Sequence, residues 1–167
     1  MDKGRGKRAQ IELSFGFIFG IIVIVATIAV AFFVISYFLK LGRCFDTGLM
    51  YKDIEGEVNN AWAASGLTQK PFSEKAPSGV SAVCFGSFNG NPVADSKEAY
   101  DVLSIKYKNL DKNVFLYPSI KACNSGLASY KLEHIKVNRF FCAFVKNGRI
   151  SITLNKTSTE QLVTIGK

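Results

Sequence analysis

An uncharged apolar run of 27 residues, 13–39, constrains this chain more than any other feature. It is bounded by Glu12 and Lys40. As an α-helix the run would be about 40 Å long at about 1.5 Å per residue, and a bilayer core requires only about 20 residues. A soluble chain of 167 residues could hardly cover such a helix on all sides. We therefore predict a transmembrane helix over residues 13–39 rather than a buried core helix.

The charges beside the run predict its orientation. The first ten residues, MDKGRGKRAQ, contain four Lys and Arg and one Asp, whereas the basic flank after the run, Lys40 and Arg43, is weaker. Basic flanks prefer the cytoplasmic side of a membrane. We expect a protein of the cell membrane with a basic cytoplasmic leader at residues 1–12 and with residues 40–167 extracytoplasmic.

All four cysteines follow the run, which agrees with that orientation. An even number of cysteines in an extracytoplasmic domain predicts two disulfides. Four cysteines allow three pairings, and the sequence does not choose among them; four buried free thiols are the alternative. No C-x-x-C spacing is present, which argues against a zinc site. The candidate disulfide residues are Cys44, Cys84, Cys123 and Cys142.

The start of the apolar run does not fit an ordinary secretory signal. The run is about twice as long as the apolar core of such a signal, and no A-x-A-like site follows it. Instead, the stretch GKRAQIELSFGFIFGII places basic residues, Ala9 and Gln10 directly before the helix. This arrangement resembles the class III signal peptide of archaeal type IV pilin-like proteins.

The resemblance implies how the leader is processed. A membrane peptidase would cut between Ala9 and Gln10 on the cytoplasmic side, and the helix would stay as anchor and assembly element. The family's usual order after the cut is Gln-x-Ser-x-Glu, but here Glu12 is third and Ser14 fifth. In pilins the glutamate neutralises a neighbouring subunit's new amino terminus. The exchange therefore weighs against a standard filament more than against membrane anchoring.

Three residues are candidates for helix packing. Gly16 and Gly20 form a G-x-x-x-G pair, which lets two membrane helices approach closely. Glu12 could set helix register if it pairs with an amine; otherwise it lies among the cytoplasmic headgroups and marks the start of the span. Glycine is also common in membrane helices, so the pair alone does not establish an interface.

The chain after the run predicts an α+β extracytoplasmic domain over residues 49–167. Gly42 and Gly48 predict a juxtamembrane break at 40–48. A leading helix follows over 49–65, with Gly66 as its stop. Apolar residues recur along it every four positions and are expected to face the core: Met50, Ile54, Val58 and Trp62.

The remaining pattern predicts one inserted helix and a mostly antiparallel sheet. Residues 67–79 are rich in Pro, Ser and Lys and predict a loop. Asp95 and Glu98 form a capping box that opens a helix over 96–109. Strands are predicted at 80–85, 113–117, 129–137, 140–146, 149–155 and 161–165.

Asn147-Gly148 is the clearest local signal, because this dipeptide favours a two-residue hairpin turn. The turn would pair Lys146 with Arg149. The predicted core face then carries the pairs Val145–Ile150, Ala143–Ile152 and Phe141–Leu154. Cys142 falls on the second face, which must also be covered, and a disulfide is one candidate cover.

No catalytic pattern is present. The chain has no Walker-type loop, no G-x-S-x-G, no H-E-x-x-H and a single histidine, His134. We expect neither an enzyme nor a cofactor. Residues 13–167 carry 17 Lys and Arg against 11 Asp and Glu, which suits anionic partners. The densest basic–aromatic stretch gives the candidate anion-binding residues: Lys106, Lys108, Lys112 and Lys121.

Asn155-Lys156-Thr157 is an N-glycosylation sequon, so Asn155 is a candidate modification site. The leading functional hypothesis is a single-pass, pilin-like structural or pseudopilin-type subunit. Its partners would be the lipid bilayer and copies of itself or other pilin-like subunits, with no specific small molecule. The alternative is a monomeric anchored module whose basic domain contacts surface polymers, nucleic acid or another cell envelope, with nucleic acid and anionic glycans as candidate ligands.

Overall fold

A helix of 49 residues, α1 (Phe15–Ala63), begins the part of the chain that the computed structural model describes, which is residues 15–64, 66 and 68–167. The chain forms two compact units, Met1–Leu39 and Lys40–Lys167. The predicted break at 40–48 is wrong, because all nine of these residues are helical. Glycine lowers helix stability by about 1 kcal/mol relative to alanine but does not end a helix by itself. Burial of Thr47 and Met50 supplies a compensating tertiary contact.

Within the C-terminal unit, Lys40–Lys167, one face of α1 is buried. Met50, Ile54 and Val58 lie in the main core as predicted. Trp62 does not, because 42% of it is exposed. A spacing of four residues advances 400° around a helix, so the stripe drifts by about 40° at each step and Trp62 reaches the edge of the buried face. Ala61 lies in the core at this end of the helix.

The described residues form eight strands in two four-stranded sheets. The strands are β1 (Thr68–Lys75), β2 (Ala82–Phe85), β3 (Val114–Tyr117), β4 (Ser129–Tyr130), β5 (Ile135–Lys136), β6 (Phe141–Phe144), β7 (Arg149–Lys156) and β8 (Val163–Gly166). The first sheet has the order β1-β7-β8-β5, and the second has the order β4-β3-β2-β6. All neighbours are antiparallel except β5 and β8. The predicted α+β class with a mostly antiparallel arrangement is confirmed.

Strand β1 occupies most of the segment predicted as a loop at 67–79. It pairs with β7 from Thr68↔Lys156 to Lys75↔Arg149. Pro71 lacks an N–H donor, but β1 is an edge strand, where this loss is tolerated. Phe72 packs against the main core and Ala76 lies in it, so apolar contacts as well as the strand pairing hold this segment in place.

The predicted turn at Asn147-Gly148 is confirmed. Both residues have positive φ, 51° and 74°, and the backbone N–H groups of Lys146 and Arg149 donate to each other's carbonyls. The predicted ladder beyond the turn is wrong, because β6 pairs with β2 in the second sheet. Val145 N–H already donates to Ser81 O. The two strands therefore separate directly after the turn.

The predicted faces of these two strands nevertheless hold. The main core contains Phe141 and Ala143 from β6 together with inward residues of β7: Ile150, Ile152 and Leu154. The second face of β6 is covered as well. There Cys142 joins a separate cluster formed with α2 (Lys97–Tyr107).

Helix α2 does not begin with the predicted capping box. Its N-terminal cap is Ser96, which ends a 3-10 turn, Ala94–Ser96, and makes no side-chain cap bond. Asp95 is held inside that turn, where its carboxylate accepts from Ser96 Oγ at 2.8 Å and from Lys167 Nζ. Ser96 Oγ in turn accepts from Cys142 N–H at 2.8 Å. This chain of bonds fixes the start of α2 against β6.

A pair of glycine variants tests the backbone of the C-terminal unit. Gly56→Ala should raise the free energy of unfolding by about 0.5–1 kcal/mol, because Gly56 is helical and a methyl group there meets open space. Gly148→Ala should lower it by about 1 kcal/mol, because φ is +74°. Denaturant unfolding of the full chain in detergent measures both. Equal effects of the two variants would contradict the assigned conformations.

Candidate functional site

The first candidate site is the uncovered apolar part of α1. All residues from 16 to 39 are exposed except Gly20, which is half-buried. Within the described chain, α1 is the helix long and apolar enough to cross a membrane, and none of its most apolar window is buried by protein. These properties are compatible with a membrane anchor, although a signal sequence shares them.

The predicted helix-packing glycines lie on this part of α1. Gly16 is exposed, and a methyl group built on Gly20 meets no heavy atom within 4 Å apart from its chain neighbours and the backbone of its own helical turns. The space that a second helix would need is therefore open beside Gly20. The predicted cleavage and register residues, Ala9, Gln10 and Glu12, lie outside the described residues.

A second exposed apolar surface lies on α1 within the C-terminal unit. Leu41, Phe45 and Leu49 are spaced four residues apart and are 51%, 66% and 40% exposed. They lie nearly opposite the buried face that carries Met50, Ile54 and Val58, because the two sets are separated by about half a helical turn. We call these three residues the α1 stripe. Sequence reasoning missed it because Leu41 and Phe45 fall in the predicted break, which separated them from Leu49 in the predicted helix.

The structure pairs the cysteines as Cys44–Cys123 and Cys84–Cys142. Cys84 and Cys142 are directly opposite each other on β2 and β6 and are fully buried. Cys44 belongs to α1, and Cys123 follows a 3-10 turn at Ser119–Lys121. One disulfide thus joins strands inside a sheet, while the other joins α1 to a distant loop.

A tyrosine pair links α1 to the second sheet. The rings of Tyr51 and Tyr130 stack with centroids 4.7 Å apart, and Tyr51 Oη donates to Leu127 O at 2.8 Å. Burial raises the pKa of Tyr51 far above its ordinary value, and the neighbouring Tyr107 and Tyr130 add to the shift. Burial also raises the pKa of Tyr130. The hydrogen bond that Tyr130 Oη donates to Glu55 at 3.0 Å raises this pKa further, by a smaller amount.

This pair predicts a loss of stability in alkali. The pKa of Tyr51 is higher in the folded state than in the unfolded state. The stabilisation that protonated Tyr51 gives the fold is therefore fully present below the unfolded-state pKa of about 10 and is lost as the pH rises above that value. We expect the wild type to lose about 1 kcal/mol more than Tyr51→Phe between pH 8 and pH 11. Urea unfolding of the full chain, followed by near-UV circular dichroism, measures the difference. Parallel losses in both proteins would contradict the buried, protonated tyrosine.

The exposed Trp62 forms part of a capped helix end. Its ring stacks on His134 with centroids 3.9 Å apart, and its Nε1 donates to Gln161 O at 3.0 Å. Lys156 Nζ donates to the carbonyl oxygens of Trp62 and Ala64. A cation that binds the last carbonyls of a helix stabilises its C-terminal end. Trp62 and His134 therefore have a structural role, in which they stabilise the C-terminal end of α1.

The predicted anion-binding lysines do not converge on one described site. Lys106 and Lys108 lie at the C-terminal end of α2, and Lys112 lies in the loop before β3. Lys121 lies in a different loop, where its side chain would be 3.5 Å from a methyl group built on Gly79. None of the four forms an ion pair within the described residues. The sequon residue Asn155 is exposed on β7, between Gln69 of β1 and Thr164 of β8.

A different group of cations does converge. A pocket of about 310 Å³ lies beside the Asn147-Gly148 turn, and we call it the hairpin pocket. It is lined by Asp95, Ala143, Phe144, Lys146, Arg149, Ser151 and Lys167. Its cations come from positions far apart in sequence, so no local pattern indicated the site.

The single side-chain carboxylate among the residues that line the hairpin pocket, Asp95, is already engaged. Lys167 donates to Asp95 and holds the pKa of this carboxyl below its usual range, with a smaller contribution from Ser96. Lys146 and Arg149 form no ion pair in the described part of the chain. The pocket therefore keeps two positive charges without a partner there.

Two further observations bear on function. The described residues contain no group of three or more His, Cys, Asp or Glu placed to hold a metal ion. Comparisons with protein-family models, with curated proteins and with solved structures gave no match for this chain.

Proposed function

We propose that this protein is a non-enzymatic, single-pass, pilin-like cell-surface protein that acts as a structural or pseudopilin-type subunit. The observation that carries the proposal is α1, a helix of 49 residues that is uncovered over 16–39 and offers a further exposed apolar surface in the α1 stripe. An anchor alone requires the first of these two surfaces. A subunit that packs helix against helix would use both.

The orientation of the proposed subunit rests on charge and redox chemistry. The basic first ten residues favour a cytoplasmic N-terminus. Two disulfides in the C-terminal unit suit an oxidising compartment. Both arguments support an extracytoplasmic position for residues 40–167.

The contact between subunits is proposed to include the α1 stripe. Leu41, Phe45 and Leu49 expose large apolar side chains in a row, beside Gly48, where a methyl group would meet open space. A row of large side chains next to a small one allows a second helix to pack closely. Leaving such a row in water costs free energy that association would recover.

The second candidate function is the monomeric anchored binding module. The hairpin pocket favours it, because unpaired cations in a concave site suit an anionic ligand. This candidate needs neither leader cleavage nor contact between copies.

Leader processing is tested by the intact mass of the protein from its native membrane, measured with and without reduction. The subunit proposal predicts a chain that begins at Gln10, because the resemblance places the cut after Ala9. The unreduced chain should also lack four hydrogen atoms, one for each disulfide-bonded cysteine. A mass that includes Met1 would reject the processed subunit and leave the anchored module.

The contact between copies is tested by photo-crosslinking in the native membrane. A benzoylphenylalanine at Phe45 should yield a crosslinked dimer of this chain or a crosslink to a related subunit. The matched control is the same probe at Val102, an exposed apolar residue on α2 that lies outside the α1 stripe. Equal yields at both positions, or no crosslink at Phe45, would reject the α1 stripe as an assembly surface.

A further inference from the structure

The hairpin pocket combines concavity, charge and an apolar wall in one place. Its volume of about 310 Å³ lies at the lower end of the range for ligand pockets, about 300–1,000 Å³, and would admit a single sugar-sized ring. Three cations line this space: Arg149 of β7, Lys146 of the turn before it and Lys167, which follows β8. These features are independent of the α1 stripe and of any contact between copies.

Arg149 is held in place without being neutralised. Its Nε donates to Ser73 Oγ at 3.1 Å, and its Nη2 donates to Ser73 O at 2.6 Å. Both acceptors are uncharged, so the guanidinium keeps its full positive charge. Two of its five N–H groups are used, and the others remain able to donate to an oxyanion. A positioned, uncompensated guanidinium is well suited to bind a carboxylate or phosphate group.

The second cation and the hydroxyl group add to the same site. Lys146 pairs with Arg149 across the turn, so the two side chains start from adjacent backbone positions. Ser151 follows two residues after Arg149 on the same face of β7 and offers a hydroxyl donor. Asp95 does not neutralise this pair, because its carboxylate is bound by Lys167 and Ser96.

The wall of the pocket is aromatic. Phe144 is 39% exposed at the end of the edge strand β6, whose other three residues are buried. Lys167 Nζ lies 5.2 Å from the centre of its ring. The exposed face of Phe144 can pack against the C–H groups on one face of a sugar ring. The cations beside it can bind a negatively charged substituent of the same sugar.

We infer that the hairpin pocket binds an anionic sugar, a pyranose whose carboxylate or phosphate group is held by Lys146 and Arg149 while its ring lies on Phe144. The binding group is the oxyanion, whichever of the two it is. This inference goes beyond the proposed subunit role and does not depend on it.

The test is a titration of the full chain in lipid nanodiscs, followed by isothermal calorimetry. The probes are glucuronate, glucose 6-phosphate, glucose and inorganic phosphate. At least one of the two anionic sugars should bind at least about tenfold more tightly than glucose, because the neutral sugar leaves both cations unpaired. It should also bind more tightly than inorganic phosphate, which gains nothing from Phe144. The stronger of the two anionic sugars identifies the oxyanion.

Charge-matched variants separate a specific site from general attraction. The double variant K146Q/R149Q should weaken binding about tenfold or more. The control K52Q/R139Q also removes one lysine and one arginine charge, at exposed residues that do not line the pocket, and should change affinity less than about twofold. F144A should weaken the anionic sugars but not inorganic phosphate.

Three results would overturn the inference. They are equal losses in the two double variants, equal binding of glucose and the anionic sugars, and absence of calorimetric binding of both anionic sugars at millimolar concentration. Leader cleavage and crosslinking at Phe45 are unaffected by any of these results, so failure of the pocket and failure of the subunit proposal are distinguishable.

Discussion

Burial of one face of α1 in a core shared with both sheets is the contact on which the rest of the C-terminal unit depends. Met50, Ile54 and Val58 are almost completely buried, and they share the main core with inward residues of both sheets. Both sheets are small, and six of the eight described strands have only two to four residues. Short strands gain little from their own ladders, so the shared apolar core supplies most of the cohesion.

The turn at Asn147-Gly148 has a different role from that of an ordinary hairpin. It reverses the chain locally, but it also transfers the chain from the second sheet to the first. The bridge between Lys146 and Arg149 closes the turn, and the strands then take different partners. The hairpin pocket lies beside this point of separation, since Phe144 comes from β6 and Arg149 and Ser151 come from β7.

Local patterns in the sequence predicted local structure well. The alternation around Cys142 identified which side chains of β6 and β7 face the core, and the positive-φ turn between them was expected from Asn147-Gly148. The sheet to which each strand belongs was not predictable, because strand alternation specifies a face and not a partner. The same limit applies to the disulfides, whose pairing depends on contacts between distant segments.

Two errors have an energetic origin. Gly42 and Gly48 predicted a break, but intrinsic helix propensity is a weak preference that burial of Thr47 and Met50 outweighs. The segment with Pro71 looked like a loop, yet an edge strand accepts a proline. The hairpin pocket was missed for a third reason. Its residues, Asp95, Lys146 and Lys167 among them, come from segments that only the folded chain brings together.

The two disulfides have a mechanical consequence for a protein pulled between its helix and its last residue. Cys84 lies inside the loop closed by Cys44 and Cys123, so the two covalent loops overlap. A pulling force would pass from Cys44 directly to Cys123, and the 78 residues between them would bear no load. The backbone that can still be drawn out is the 44 residues after Cys123, or about 150 Å at about 3.4 Å per residue. If both crosslinks were reduced, the contour beyond Cys44 would be nearly three times as long, so the oxidised protein is a short tether.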